Sequence, residues 1–451
     1  MRPPFLIREL PPPADPAALM LGLHAADPAR YPALLDSAAT GSPLARFSLL
    51  LAAPGERLTL DAAGRLSGPG RGGGFCERLD AWWREGPYPV PPAPWPFAGG
   101  WFLYLGYELA GEVEPTLALP PSPLPVVALA WRMRAALLFD HETGRLAALA
   151  EPDAHVALEQ LCEDAASTAP LGAAAVESPA AIAEEDPEHF LAACRRALSH
   201  IAAGDIYQAN LARSWSARLP PGCSAATLYA ALRRANPGAF AGLAQIDGLA
   251  VLSSSPERLV RVRGRQIDTR PIAGTRPRTG ADADAIAAMT ASAKERAEHV
   301  MLVDLERNDL GRICEAGSVR VDELMVVESY AHVHHIVSSV SGRLRADLAP
   351  GGVIRALFPG GTVTGCPKVR CMQLIGELEG RGRGAYTGAM GYLARDGSLD
   401  LNILIRTMTL QAATVELRAG AGIVADSVPE RELEETRAKA RGLLRALGSA
   451  A

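Results

Sequence analysis

No segment of the 451-residue chain comes near the roughly 18 uninterrupted apolar residues that a membrane-spanning helix needs, so no span is expected. Cysteine is sparse and unpatterned. Cys76, Cys162, Cys194, Cys223, Cys314, Cys366 and Cys371 form no C-x-x-C pair and are odd in number. That argues against a zinc or disulfide framework and for reduced, mostly buried thiols in a cytoplasmic setting. A basic excess is missing too: the net charge of −5 speaks against nucleic acid as the main partner, because neutralising phosphates takes a basic surface. The opening "MRPPFLIRELPPP" has no apolar stretch of signal-peptide length. G-x-S-x-G, Walker and dinucleotide fingerprints are absent, as is any internal repeat.

What is present is ordinary for a globular protein: 48% hydrophobic residues and 21% charged, with enough length for one large or two smaller units. Apolar runs with β-branched and aromatic content, "FSLLLAAP", "GGWFLYLGYELA" and "VVALAWRMRAALLFD", alternate with Gly/Pro-rich turns and predict antiparallel strands. An Ala/Ser/Pro-rich stretch then reads as a linker. The division is an N-terminal region at 1–165, a linker at 166–186 and a C-terminal region at 187–451. Asp186 and Pro187 predict the N-cap and first position of a helix. "DADAIAAMTASAKERAEHVMLVDLERNDLGRI" and "VPERELEETRAKARGLLRALG" predict two more, and Asp396-Gly397 a hairpin turn. Strands and helices come in blocks, which predicts an α+β fold with large antiparallel sheets and helices outside.

Several stretches could carry chemistry. Glu295 with Glu298, and Glu432 with Glu435, are E-x-x-E pairs that place two carboxylates on one helix face. Two such pairs suit a hard dication such as Mg²⁺; a solvated face with salt-bridge partners is the plainer reading. "TRPIAGTRPR" (269–278) reads as a loop that could meet a small anion, with Gly274 allowing close backbone approach, the Thr275 hydroxyl, three arginines and an inert Ala273. "RAGAGIVADSVPE" (418–430) reads as a Gly-rich turn whose Gly420, Ala421 and Gly422 amides could bind a carboxylate, with Lys439 one helical turn past Glu435. "FPGGTVTGCPKVR" (358–370) is a third Gly/Pro-dense loop, offering Thr362, Thr364 and Lys368. His334 and His335 are adjacent in a β-branched run, so they face opposite sides of a strand and cannot share a metal from there. Glu257 follows a proline turn in "SSSPERL".

In order along 187–440, "GDIYQANLAR", "SSSPERL", "TRPIAGTRPR", "KERAEHVMLVDLERNDLGRI", "HHIVSSVSG", "FPGGTVTGCPKVR", "YTGAMGY", "LDLNILIRT" and "RAGAGIVADSVPERELEET" resemble the signatures of the chorismate-utilising enzymes. That resemblance implies an active site in the C-terminal region. It implies Mg²⁺ on Glu298 and Glu435, with Glu295 and Glu432 close by, gripping the ring carboxylate of chorismate. It places Tyr386, Arg406, Gly422 and Lys439 on the pyruvyl carboxylate and Thr275 and His335 along the ring. Glu257 matches the general acid that protonates the departing 4-hydroxyl, a role worth roughly 10²–10⁴-fold.

Gln208 stands where the water-adding members of the family carry a lysine base, and a neutral amide cannot serve as that base. The chain therefore resembles the ammonia-using branch, fed by a separate glutamine amidotransferase subunit. Within it, "DIYQANLAR", Thr364 and the N-terminal "FAGGWFLYLGYELA" resemble the aminodeoxychorismate group, which feeds folate synthesis through an aminodeoxychorismate lyase. Ala273 resembles the anthranilate group instead, since many aminodeoxychorismate enzymes have a nucleophilic lysine there. Two alternatives stay open, an anthranilate-type enzyme and a non-catalytic chorismate-binding homologue. Leu34-Leu35-Asp36-Ser37 corresponds to an element of the amino-acid feedback site in anthranilate synthases; a helix or strand end with an Asx-type cap is the plainer reading.

Overall fold

The computed structural model describes residues 5–39, 44–86, 91–172, 176–277, 286–287, 293–329 and 333–449. Within them every strand pairing is antiparallel, and helices pack on the outside of the sheet, an α+β architecture. The long strand Val126–Asp140 organises the N-terminal half. It pairs with Phe47–Asp61 along most of its length, and with Gly100–Leu105 and Arg145–Ala150. Thirteen of its residues are buried, which is why it reads as a near-continuous apolar run rather than an alternation.

The two halves share sheet. Gly100–Leu105 pairs with Ala389–Ala394, and Ala33–Asp36 pairs with Phe240–Ile246. Strand Ile182–Glu184, in the stretch read as a linker, pairs with the far end of Gln208–Arg218, while helix His155–Ser167 runs into that stretch from the other side. Helix Pro187–Ala202 begins at the expected cap, where the Asp186 carboxylate accepts from the Glu188 amide at 3.0 Å. The Asp396-Gly397 turn closes the hairpin Ala389–Ala394/Leu399–Asn402, with Gly397 at φ 90°.

Asp36 is no local cap. It is buried, and its two carboxylate oxygens accept from Ser48 Oγ (2.9 Å) on one side and from Tyr229 OH (3.1 Å) and Arg233 Nε (2.6 Å) on the other. The chain's own distant groups thus consume this carboxylate, as a buried charge requires. All seven cysteines are free, with Cys223 and Cys366 partly exposed and the rest buried. No helix among the described residues is long and apolar enough to cross a membrane.

Candidate active site

The stretch 418–423, expected as a turn, is the end of a strand. Thr414–Ile423 pairs with Gln208–Arg218 residue for residue, Gly422 opposite Asn210 and Gly420 opposite Ala212. Its glycines serve close packing. A Cβ on Gly420 would lie 2.6 Å from Leu211 O and 2.7 Å from Tyr386 OH, and one on Gly422 would lie 2.4 Å from Gln208 Nε2. Strand Thr407–Gln411 covers the other edge only as far as Leu417. Beyond that point the backbone edge opens to side chains, and the Gly420 carbonyl accepts from Lys439 Nζ at 2.9 Å.

The stretch read as a loop from 269 is also largely strand: Thr269 ends the strand Gln266–Thr269, and a second strand follows over Ile272–Pro277. Ile272–Pro277 pairs with Val333–Arg343, Ala273 opposite Ile336 and Thr275 opposite His335. Gly274 forms a bulge between them at φ 67°, a left-handed conformation that costs a glycine little. The side chains of Ala273, Thr275 and Glu295 lie outside the described residues, as does Arg278.

Around these two strands the structure gathers most of the expected residues. Glu257, in the turn after Leu249–Ser255, is buried, and its Oε1 has no hydrogen-bond partner among the described residues. Burial pushes its pKa up to about 7, against the pull of the nearby Thr362 hydroxyl, the Ile272 amide and the charges of Arg406 and Lys439. Its backbone is fixed by Ser255 Oγ, which accepts from the Glu257 amide (3.2 Å) and donates to Ile403 O (2.6 Å). The Arg406 backbone is left-handed (φ 52°), and its carbonyl accepts from Ser254. Burial pushes the Arg406 pKa down while Tyr386, Glu435 and Glu257 oppose it; among the described residues it forms no ion pair. Tyr386 is buried and its hydroxyl is pushed up to about 12. His335, buried beside Arg406, is pushed down to about 4 and is neutral near pH 7. Gln208 is buried next to Gly422, its amide oxygen unpartnered among the described residues, and Ala421 is buried in the strand.

A framework holds this cluster. The Arg383 guanidinium donates to Glu379, Asn210 O (2.6 Å), Val363 O and Thr387 Oγ1, and Glu379 also accepts from the Ala212 amide (2.9 Å). One buried pair therefore ties the Gln208 strand to the 358–367 segment and to the turn carrying Tyr386.

Three of the four acidic metal candidates, Glu298, Glu432 and Glu435, lie among residues whose side chains the structure describes. Glu298 is half-buried on helix Ala293–Gly311, which packs on Ile272–Pro277 and Val333–Arg343. Glu435 is half-exposed on Pro429–Ala446 and pairs with Lys439 at 2.6 Å. Glu432 is buried nearer Cys194. Among the described residues no three or more His, Cys, Asp or Glu side chains converge as a metal cage. Sequence reasoning missed Glu306, buried on the inner side of the first helix seven residues after the buried His299; helical periodicity carried that signal.

The family model for chorismate binding enzymes matches residues 75–445. The chain belongs to this family. An anthranilate synthase component I-like protein of Synechocystis is 40% identical over 360 residues, 79% of this chain and 74% of the relative. An aminodeoxychorismate synthase of Streptomyces griseus is 41% identical over 382 residues, 80% of this chain but only 52% of that longer relative. The crystal structure of anthranilate synthase component I from Streptococcus pneumoniae superposes with a TM-score of 0.80 at 31% identity, covering 90% of this chain and 93% of that one. The chain is accordingly a chorismate-utilising enzyme, and the chorismate family signature covers every site residue named above.

Proposed function

We propose that the enzyme aminates chorismate with ammonia, giving 4-amino-4-deoxychorismate. The observation that carries amination over hydration is Gln208: a buried neutral amide with an unpartnered oxygen, beside Gly422, where activating water would need an ionisable base. That oxygen can accept a hydrogen bond from ammonia and orient it. Arg406, enclosed and without an ion pair among the described residues, supplies the cation that a substrate carboxylate would neutralise, with Tyr386 and Lys439 beside it. Glu257, protonated up to about pH 7, gives its proton to the departing 4-hydroxyl, which leaves as water; the proton lost by the incoming nitrogen restores the acid. His335, neutral at that pH, adds no competing charge along the ring.

Mg²⁺ is part of this proposal. The donor types suit it: carboxylates on the two helices Ala293–Gly311 and Pro429–Ala446, few enough to leave it its waters. Glu298 and Glu435 would hold it, with Glu295 and Glu432 near, and it would supply charge neutralisation for the ring carboxylate. A separate glutamine amidotransferase subunit as ammonia source, a lyase acting on the product, a folate-pathway role and a cytoplasmic location belong to the same proposal.

Amination at carbon 2 with loss of pyruvate is the second reading, and Ala273 favours it. Purified protein given chorismate, Mg²⁺ and an ammonium salt decides between them. A product that becomes p-aminobenzoate only on adding aminodeoxychorismate lyase supports the first reading. Anthranilate formed without the lyase overturns it, and chorismate bound without turnover would point to a non-catalytic homologue.

A further inference from the structure

Helix Ala293–Gly311 turns two carboxylates, Glu306 and Asp309, toward the protein interior; they are 6% and 3% exposed. Lys368 forms an ion pair with Asp309. Glu306 has no such pair among the described residues. Against it lies the turn Gly361–Val363: a Cβ on Gly361 would stand 3.5 Å from Glu306 Oε1 and 2.4 Å from Leu305 Cδ2, so the turn passes in direct contact with this face of the helix. The next residue, Thr362, has its buried hydroxyl near Glu257. One short turn thus has Glu306 against one residue and Glu257 beside the next. Glu257 Oε1, Thr362 Oγ1 and Thr269 Oγ1, the last beside Glu306, are all buried without a hydrogen-bond partner among the described residues.

We propose that Glu306 is a positioning residue of the active site, whose carboxyl across the Gly361–Thr362 turn keeps the acid proton on Glu257. The proposal rests on Glu257 being the acid of the reaction above. Two enclosed carboxyls so placed do not both ionise readily, so they lose their protons in two steps and one proton is retained through neutral pH. The surrounding charges agree with this. Burial pushes Glu306 up to about 7; Asp309 and Glu257 add to the rise, and Lys368 and the Thr269 hydroxyl oppose it. On the Glu257 side, Arg406, Lys439, Thr362 and the Ile272 amide act in the opposing sense. Glu306 does not touch substrate in this scheme; it acts through Glu257.

The test is the pH dependence of kcat/KM for chorismate consumption with saturating ammonium, a readout indifferent to which product forms. In Glu306→Gln the alkaline limb is expected to move down by about one pH unit or more, and in Glu306→Asp, which keeps the charge, to stay near the wild-type position. A limb unmoved in Glu306→Gln, or an equal loss at every pH in both variants, overturns the proposal. A second measurement needs neither turnover nor a folded Glu306 variant. The carboxylic C=O infrared band of Glu306, followed in Glu257→Gln, should titrate at lower pH than in the wild type, because coupling is reciprocal. An unmoved midpoint overturns the pairing, whereas failure to consume chorismate at any pH would overturn the functional reading instead.

Discussion

The Lys439 ammonium stands 2.6 Å from Glu435 Oε1 and 2.9 Å from the carbonyl oxygen of Gly420. One side chain thereby links helix Pro429–Ala446 to the open edge of the Thr414–Ile423 strand, just where the strand loses its second neighbour. Replacing it with methionine leaves the Glu435 charge unbalanced and the Gly420 carbonyl unpaired. Lys439→Met should raise KM for chorismate by about 10–100-fold, the equivalent of one lost charge-assisted hydrogen bond, in steady-state assays.

Arg406 sets function against stability. Its charge is held in an enclosed site that lowers its pKa, so the free enzyme bears a cost that a bound carboxylate would offset. Arg406→Met should lose at least about 100-fold in kcat/KM yet show a melting temperature no lower than wild type. A variant that is both inactive and clearly less stable would contradict the open-cation role.

Glu257 links rate to pH with a definite sign. Its folded pKa of about 7 exceeds the ordinary 4.5, so the protonated carboxyl is the form that suits the fold. The stability it contributes is complete below about pH 4.5 and is lost as pH rises through about 7; Glu306 adds in the same direction. Glu257→Gln should cut kcat by roughly 10²–10⁴-fold. It should also melt higher than wild type at pH 8, with the difference closing at pH 5.

The two strand glycines should separate in their response. A Cβ on Gly420 meets backbone at Leu211 O, which cannot step aside, whereas one on Gly422 meets the end of the Gln208 side chain. Gly420→Ala should destabilise by about 1–3 kcal/mol in denaturant unfolding. Gly422→Ala should fold normally and instead lose rate with ammonia through the displaced amide.

Removal of Arg383 tests the framework. Its partner Glu379 is buried, so Arg383→Met strands a carboxylate and should cost about 3–5 kcal/mol, whereas Arg383 and Glu379 replaced together should recover part of that loss.

Local chemistry was legible in the sequence wherever neighbours along the chain decide the structure. Asp186 and Pro187 start their helix because cap and fixed φ act within one turn, and Asp396-Gly397 turns because glycine accepts φ 90°. The apolar run 126–140 forms a strand because few helical or turn signals interrupt it. The ordered motifs identified the family, and the family model covers them. Where glycine is dense, the sequence misleads: the same residues that permit a turn also permit close strand packing. Only the approach of Leu211, Tyr386 and Gln208 decides that 418–423 is a strand. Asp36 shows the same limit, since its partners Tyr229 and Arg233 are nearly 200 residues away. Glu306 is a further case. Periodicity puts it on a buried helix face, but its nearness to Glu257 depends on a turn from a third part of the chain. Burial and charge act through space, so the tertiary structure alone decides which carboxyl keeps its proton.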